Sequence, residues 1–522
     1  MYSDQLNVQI LCSLLKAHGI KRLILCPGSR NAPIIESISG DSFFECYSIT
    51  DERSAGFVAL GLILETEQPV AVCCTSGSAL LNLHSAVSEA FYRNLPLLVL
   101  SADRPQEWIG QMDGQTLPQP YLFGMLSRKS VTLPEVHTSA DHWYCNRLVN
   151  EALLALQRKD IQGPVHINIP LSEPLFAFNI PALPVERKIE WLFDADDIRA
   201  LWSKASRKLI IVGQMDSQRE AFSLIFPTSA VVLADHLSNR PQEALESRFY
   251  SYCEELQPDI VVTIGGSILS KKLKQDMRRY PPKMHWHVSP SGEVADVFMS
   301  LTHLIPLCPK DFTAIIANET ARESDLAYRQ LWKKNAIDPV ASAPKEPESR
   351  VVAEVLKQIP PRSVLHLGNS LSVRLAQHYP LPADVRVHCN RGVSGIDGSL
   401  SAAVGAAMAS DTLHFVLLGD LSFFYDANAL WNSHVPSNLR IIILNNGEGR
   451  IFETIPGLRD CSSLRPFVTG QHQCSAQGWV EGLGLTYIAV KTEDRLALAI
   501  SALASDRCDK AVVVEVFTPL SV

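Results

Sequence analysis

The chain has no pair of cysteines two residues apart, no run of lysine and arginine, no short repeat and no long apolar stretch. Its 12 cysteines are scattered. Without a CxxC pair, neither a metal knuckle nor a redox pair is expected, and buried thiols in a reducing compartment account for them. Even the adjacent Cys73 and Cys74 sit inside an apolar run. The formal net charge is -8, from 47 basic and 55 acidic residues, and no basic tail dominates, which argues against nucleic acid as a partner. Anionic small molecules stay open, because local arginines matter more than the total. No apolar run approaches the roughly 20 residues that cross a bilayer, so no membrane span is expected. The opening MYSDQLNVQILCSLLKAHG lacks the charged-then-apolar order of a signal peptide. It reads as an amphipathic helix with Ser3 or Asp4 as cap, and the cytoplasm is the expected location.

What is present is a well-packed composition, 46% hydrophobic over 522 residues, enough for about three domains. Short apolar runs end repeatedly in Gly, Ser, Asp or Asn, with helical stretches between them. KRLILCPGS, VAVCCTSGS, LPLLVLSADRP and GPVHINIPLSEP are strands of a first unit, residues 1–180. KLIIVGQM, AVVLADHLS and DIVVTIGGS belong to a second, residues 181–340. SVLHLGNS, VRVHCNRG, LHFVLLGD, LRIIILNN, LTYIAV and AVVVEVFTP belong to a third, residues 347–522. The pattern is that of an α/β chain of three parallel-sheet modules, each covered on both faces. The Pro- and Ala-rich KNAIDPVASAPKEPES reads as a linker or surface crossing, and SLSAAVGAAMAS as a helix able to approach a neighbour closely.

The most informative feature is split. Gly419-Asp420 closes LHFVLLGD, and Asn445-Asn446 closes LRIIILNN, followed by Gly447-Glu448-Gly449. With a helix expected over 426–434 between them, both strand ends reach the same sheet edge, where open α/β sheets bind ligands. Asp and Asn oxygens are hard ligands suited to a cation that holds a phosphate. Taken singly, Asp420 is equally a helix cap and Asn446 a turn residue. The aperiodic stretch 453–477 that follows is either a lid or a surface excursion.

These residues carry a resemblance. LCPGSRNAP, ITDERSAGFVALG, TSGSALLNLHSAVSEA, SADRP, GNSLSVR, NRGVSGIDG, and GDLSFFYDANAL through NNGEGRIF occur in order and cover most of the first and third units. The chain resembles the thiamine diphosphate enzymes of the pyruvate decarboxylase and acetolactate synthase superfamily. It is most similar to the branch that joins 2-oxoglutarate to isochorismate in menaquinone synthesis. The resemblance implies a pyrimidine-binding domain, a central domain without cofactor contacts, and a diphosphate-binding domain. It also implies self-association, as dimers or tetramers, with active sites at the dimer interface.

By the same resemblance, Mg²⁺ or Mn²⁺ is held by Asp420, the Asn446 side chain and the Glu448 carbonyl. Ser76, Ile396, Gly419, Leu421, Ser422, Ile451, Phe452 and Ile455 face the cofactor, with Ile396 propping its two rings. Glu52, in a triplet that would otherwise read as a charged helix cap, meets the aminopyrimidine ring, and for that work should be largely buried among Ala55, Gly56, Phe57 and Val58. Gln115 lies near the reacting carbon. Ser29, Arg30, Arg104, Ser370, Arg374, Arg391 and Lys272 form the substrate set, and Arg391 is also counted as catalytic. Guanidinium forks match carboxylates bidentately, which suits two acidic substrates.

Three positions depart from the family pattern. Gly114 replaces a polar residue beside Gln115, Lys272 replaces an arginine, and Glu448 stands in a run usually of Asn and Gly. They leave a related 2-oxoacid decarboxylase or carboligase in view, as well as a noncatalytic ligand sensor on the same fold. The lack of a His-His pair near the start argues against a pyruvate decarboxylase pocket, and His84, inside a helical stretch, reads as structural.

Overall fold

In the computed structural model, residues 1–216, 218–239, 249–382, 384–504 and 508–521 are described. The chain divides into two units, one of residues 1–192 with 293–304, the other of residues 193–292 with 305–522.

In the first unit the expected apolar runs become the strands Arg22–Leu25, Val70–Cys74, Leu97–Asp103 and Val165–Pro170. Two further strands, Glu45–Ser48 and Lys129–Thr132, complete a six-stranded sheet. Numbered along the chain, the order is 2-1-3-4-6-5, and every pairing is parallel. Val70–Cys74 and Leu97–Asp103 are buried along their whole length, because helices cover both faces of the sheet. One face packs on the helices Leu6–Ala17 and Ser139–Gln157, the other on Glu52–Thr66 and His84–Tyr92. The first helix is capped by neither expected residue. Gln5 occupies the cap position without a side-chain bond, while the Ser3 hydroxyl accepts from the Gln5 amide at 3.2 Å. Within the same unit, Glu190–Trp191 pairs in parallel with His303 and Leu304.

In the second unit, Met284–Val288, Ile260–Ile264, Lys208–Val212 and Val231–Ala234 lie side by side in that order, all parallel. Its other sheet has six strands: Val364–Leu367, Arg386–His388, His414–Gly419, Leu439–Asn445, Thr486–Thr492 and Val512–Ser521. Their order is again 2-1-3-4-6-5 and again parallel. Three parallel sheets with flanking helices make up the α/β architecture expected from the strand pattern.

The shared strand order positions the site. In each six-stranded sheet the order reverses between strands 1 and 3, and the loops leaving their C-terminal ends diverge to open a crevice there. Both crevices are pinched by a glycine. A Cβ on Gly28 would stand 2.4 Å from the Thr75 Cβ, and one on Gly368 2.8 Å from the Leu418 Cβ.

The helix expected over 426–434 starts earlier. Asp420–Asp426 is helical with Gly419 at its cap, and only the short turn Ala427–Leu430 follows. Asp420 is therefore the first residue of a helix, not the last of a strand: Gly419, still extended, ends the strand and caps the helix. The 453–477 stretch holds a short turn of helix at 464–468, and its later part is tied to the glycine turn: Gly449 N–H donates to Thr469 O at 2.6 Å and His472 N–H to Gly447 O at 2.8 Å. Among the described residues no helix is long and apolar enough to cross a membrane.

Candidate active site

At the crevice of the second unit, a cavity of about 330 Å³ is lined by the ends of three strands and by the glycine turn. Asp420 is 3% exposed. Its Oδ2 accepts from the Asn446 and Gly447 amides at 3.0 and 2.7 Å, and its Oδ1 from the Leu421 amide at 2.7 Å. Burial pushes its carboxyl up, against those backbone donors and the nearby His472, whose Nε2 lies 3.4 Å away. Asn446 is oriented by a residue that sequence reasoning missed. Its Nδ2 donates to Glu348 Oε1 at 2.8 Å, which turns its Oδ1 to the Glu448 amide at 3.1 Å. Glu348 is itself held by Arg450 Nη1 at 2.9 and 3.0 Å and by the Thr518 hydroxyl at 3.2 Å. The Glu448 side chain swings aside to accept from Gln471 Nε2 at 3.2 Å. A carboxylate at position 448 is compatible with a backbone-carbonyl role for that reason.

Ile396, Gly419, Leu421, Ser422, Ile451 and Phe452 line the same cavity, as do Ser370, Arg374 and Arg391. Ser422 donates to the Ile396 carbonyl at 2.5 Å, tying the Ile396 loop to the helix that Asp420 begins. Ile455 stays outside, 41% exposed. Ser370 has φ +72° and caps the helix Leu371–Ala376, with its carbonyl accepting from Arg374 Nη1 at 2.5 Å. Asn369 clamps the facing loop: its Nδ2 donates to Asn390 O at 2.9 Å and Gly395 O at 2.6 Å, and its Oδ1 accepts from Arg391 Nη1 at 2.8 Å. Arg374 is held below the ordinary guanidinium range by burial first and by Arg391 next. Lys274 is lowered in the same sense, by burial first, then by Arg391, Arg278 and Arg374.

Lys272, the expected substrate lysine, is elsewhere. It is bound to Asp276 Oδ2 at 2.6 Å and lies 4.4 Å from the Tyr250 ring, outside the cavity lining. Two positions along a helix are about 200° around its axis, so the turn that gives Lys272 to Asp276 gives Lys274 to the arginines. Sequence alone offered three lysines in SKKLKQ and no way to choose the facing one.

The crevice of the first unit brings together Cys26 to Arg30, Glu52, Thr75 to Gly77 and Gln115. Glu52 is the first residue of the helix Glu52–Thr66, whose cap Asp51 accepts from the Ser54 amide at 2.7 Å. The Cys26 thiol is pushed up to about 12 by burial first and by Glu52 next, which places that carboxylate beside the strand end. Within the single chain Glu52 is half-buried rather than largely buried, and Phe57 and Val58, expected to cover it, are 45% and 43% exposed. Only Ala55 and Gly56 of that helix turn face inward, and they are too small to screen a carboxylate at the helix start.

Arg30 is 5% exposed and donates to Leu171 O at 3.0 Å and Glu173 Oε1 at 3.1 Å. Arg104 reaches the same Glu173 oxygen at 3.6 Å and Asp113 at 3.7 Å. Glu173 lies 143 residues from Arg30, a separation that no local pattern reveals. Ser29 is exposed beside them. The four arginines expected in the substrate set thus form two pairs, one within each unit. Gln115 has φ +57°, and its backbone lies against Gly77, where a Cβ would meet it at 3.2 Å. His84 packs on the Phe123 ring at 5.4 Å between centroids, a structural contact.

Several buried polar atoms make no hydrogen bond here: Thr75 Oγ1, Ser76 Oγ and Arg104 Nε in the first unit, and Arg391 Nε in the second. Unsatisfied buried donors are costly and mark places where a ligand completes the bonding. They fit a phosphorylated, acidic guest. Among the described residues no group of three His, Cys, Asp or Glu stands ready to hold a metal. A cation at Asp420 would instead rest on one carboxylate, one amide oxygen and a carbonyl, a hard oxygen set of the kind Mg²⁺ takes beside a diphosphate.

Twin crevices at strand-order reversals, one with a carboxylate at a helix start and one with an Asp–Asn glycine turn, define a thiamine diphosphate enzyme. A family profile described as "Thiamine pyrophosphate enzyme, N-terminal TPP binding domain" matches residues 7–122. The chain is 46% identical to 2-succinyl-5-enolpyruvyl-6-hydroxy-3-cyclohexene-1-carboxylate synthase of Bacteroides fragilis, over 99% of this chain and 97% of that one. The synthase of the same name from Bacteroides thetaiotaomicron is also 46% identical, with 99% and 97% covered. That of Flavobacterium johnsoniae is 34% identical, with 98% and 96% covered. The chain belongs to the family of 2-succinyl-5-enolpyruvyl-6-hydroxy-3-cyclohexene-1-carboxylate synthases.

Proposed function

We propose that the protein decarboxylates 2-oxoglutarate and adds the resulting succinyl semialdehyde unit to isochorismate in a 1,4 fashion. The products are 2-succinyl-5-enolpyruvyl-6-hydroxy-3-cyclohexene-1-carboxylate and CO₂. The observation that carries this reading is the pair Arg374 and Arg391 in the cavity of the Asp420–Asn446 turn, with Lys274 close enough for both to lower it. None of the three has a carboxylate within ion-pair distance among the described residues; Arg391 helps to lower both Arg374 and Lys274, and Arg374 helps to lower Lys274. Such a group attracts substrates that carry carboxylates.

Thiamine diphosphate, when bound, supplies a carbon nucleophile and the electron sink that decarboxylation requires. Asp420, Asn446 Oδ1 and the Glu448 carbonyl would hold Mg²⁺ or Mn²⁺ against its diphosphate. Glu52 holds and returns a proton at the aminopyrimidine edge. Ser76 offers its unpaired hydroxyl, and Gln115 orients the substrate at the reacting carbon. Arg374, Arg391 and Ser370 bind acidic groups, as do Arg30, Arg104 and Ser29 on the other unit. Ile396, Ile451 and Phe452 form an apolar wall that excludes water from a reactive carbanion.

In this reading residues 1–180 form the pyrimidine-binding domain, 181–340 the central domain and 347–522 the diphosphate-binding domain. The protein works in the cytoplasm and self-associates, with active sites at the dimer interface. The exposed Phe57 and Val58 next to Glu52 support a partner subunit that finishes burying it. The test is incubation with thiamine diphosphate, Mg²⁺, 2-oxoglutarate and isochorismate, with the product identified by mass. Turnover of pyruvate in preference to 2-oxoglutarate would overturn the donor assignment.

A further inference from the structure

Below the first unit's crevice runs a buried hydrogen-bond chain whose polarity is fully determined. Gln119 is 0% exposed. Its Oε1 accepts from the Gly77 amide at 2.8 Å, and its Nε2 donates to Ala102 O at 3.1 Å and Asn168 Oδ1 at 2.8 Å. A backbone amide only donates and a backbone carbonyl only accepts, so the Gln119 carboxamide has one allowed orientation. That choice propagates. Asn168 must present its oxygen to Gln119, and its Nδ2 then donates to Asp103 Oδ2 at 2.8 Å. Asp103 Oδ1 accepts from the Arg104 amide at 2.8 Å. On the other side, Ser101 donates to Asn168 Oδ1 at 2.8 Å, so it accepts from His166 Nε2–H at 2.7 Å. His166 Nδ1 is left to accept from Ser130 at 3.3 Å. Burial pushes His166 down to about 3, so it is the neutral ring that this pattern requires.

Every group in the chain is satisfied, and both ends meet the site. One end is the Gly77 turn that carries Ser76, with Gly77 at φ +83°. The other is Asp103, next to Arg104. Gln115 is caught between. Its left-handed backbone rests on Gly77, and the loop that carries it is pinned four residues later by Gln119. The same loop is braced at its start, where Asp113 Oδ1 accepts from the Gly114 amide at 2.8 Å and Thr116 donates to Asp113 O at 3.0 Å.

We propose that Gln119 is a positioning residue: through Gly77 and Asn168 it clamps the 113–119 loop onto the Ser76–Gly77 turn and so sets Gln115 in its working place. The inference rests on the functional reading above for what Gln115 does there, and on geometry alone for how it is held.

The test has two arms. The first reads the clamp without turnover, by hydrogen–deuterium exchange of the whole protein. In Gln119→Met, peptides spanning 75–78 and 111–119 should lose protection, while those from the sheet Val364–Leu367 to Val512–Ser521 stay unchanged. Unchanged exchange at 75–78 would overturn the proposal. The second arm is a double-mutant cycle in the decarboxylation of 2-oxoglutarate. Gln119→Met should lower kcat by about tenfold to a hundredfold, the scale of a small misplacement at a reacting centre. In a Gln115→Ala background the same change should cost less than about twofold, because the two act through one another. Multiplicative losses would overturn it. Gln119→Glu keeps the shape and the bond from Gly77 but loses both donors. It should behave as Gln119→Met does, and it serves if the methionine variant does not fold. If the unaltered protein does not turn over 2-oxoglutarate, the functional reading fails, and the exchange arm still decides the clamp.

Discussion

The carboxylate of Glu348 does for Asn446 what a keyed socket does for a plug, and removing its charge should show in metal affinity. Glu348 is 2% exposed and accepts from Asn446 Nδ2, from Arg450 twice, and from Thr518. An ionised carboxylate accepts only, so Asn446 has no choice but to give it the amide nitrogen and to turn Oδ1 the other way. In Glu348→Gln the shape is kept, but the new amide donates as well as accepts, and Asn446 is free to flip. The flipped population presents N–H to the cation. Loss of an orienting partner of this kind costs about 10- to 100-fold in metal affinity, which is about 1.4–2.8 kcal/mol. The partly exposed Arg450 keeps solvent, so its lost ion pair should cost only about 1 kcal/mol of stability. The assay is Mn²⁺ titration in the presence of thiamine diphosphate, read by electron paramagnetic resonance, beside a thermal melt. An Mn²⁺ affinity within a factor of about two of the unaltered protein would refute the reasoning.

Four further outcomes are expected. Glu52→Gln should abolish exchange of the cofactor's C2 proton and leave the fold intact; near-normal exchange would remove Glu52 from its role. Arg374→Ala and Arg391→Ala should each raise KM for 2-oxoglutarate by about 10- to 100-fold, as a charge-assisted bond of about 1.5–3 kcal/mol implies. Thiamine diphosphate affinity should change far less, and unchanged KM for both would reject their assignment. Gly28→Ala drives a Cβ to 2.4 Å from Thr75 and should lower stability by about 1–3 kcal/mol, measured by denaturant melts. Burial raises the Asp103 carboxyl to about 6, so the folded state binds that proton more tightly than the unfolded chain does. Its contribution to stability therefore grows as pH falls from about 7 to about 4, and Asp103→Asn should erase that part of the pH profile in melts.

The strands with the clearest apolar runs were legible because parallel strands covered on both faces have little else to be. Every such run is a strand. Those that escaped are short or mixed: Glu45–Ser48 is mostly exposed, and Met284–Val288 carries two histidines and a tryptophan. The Asp420–Asn446 turn and the arginines after strand ends were legible because sheet topology sends such residues to one edge. What stayed hidden depends on contacts distant in sequence. Glu348 lay in a Pro-rich stretch that reads as a linker, 98 residues from the asparagine it orients. Glu173 answers Arg30 across the unit, and Gln119 looks like any glutamine in a proline-flanked loop. Lys274 rather than Lys272 facing the arginines is a matter of helix phase, which a lysine-rich segment does not advertise. Glu52 was expected to be buried by neighbours that point outward instead.

Arg30 and Arg104 share one oxygen of Glu173, a residue whose side chain is itself 71% exposed. The corner therefore carries its own stand-in guest. On the proposed reading, an incoming carboxylate would not enter an empty cationic pocket; it would compete with an anion that the chain itself supplies. Such competition would temper the hold on any acid that arrives and give a departing product a ready replacement.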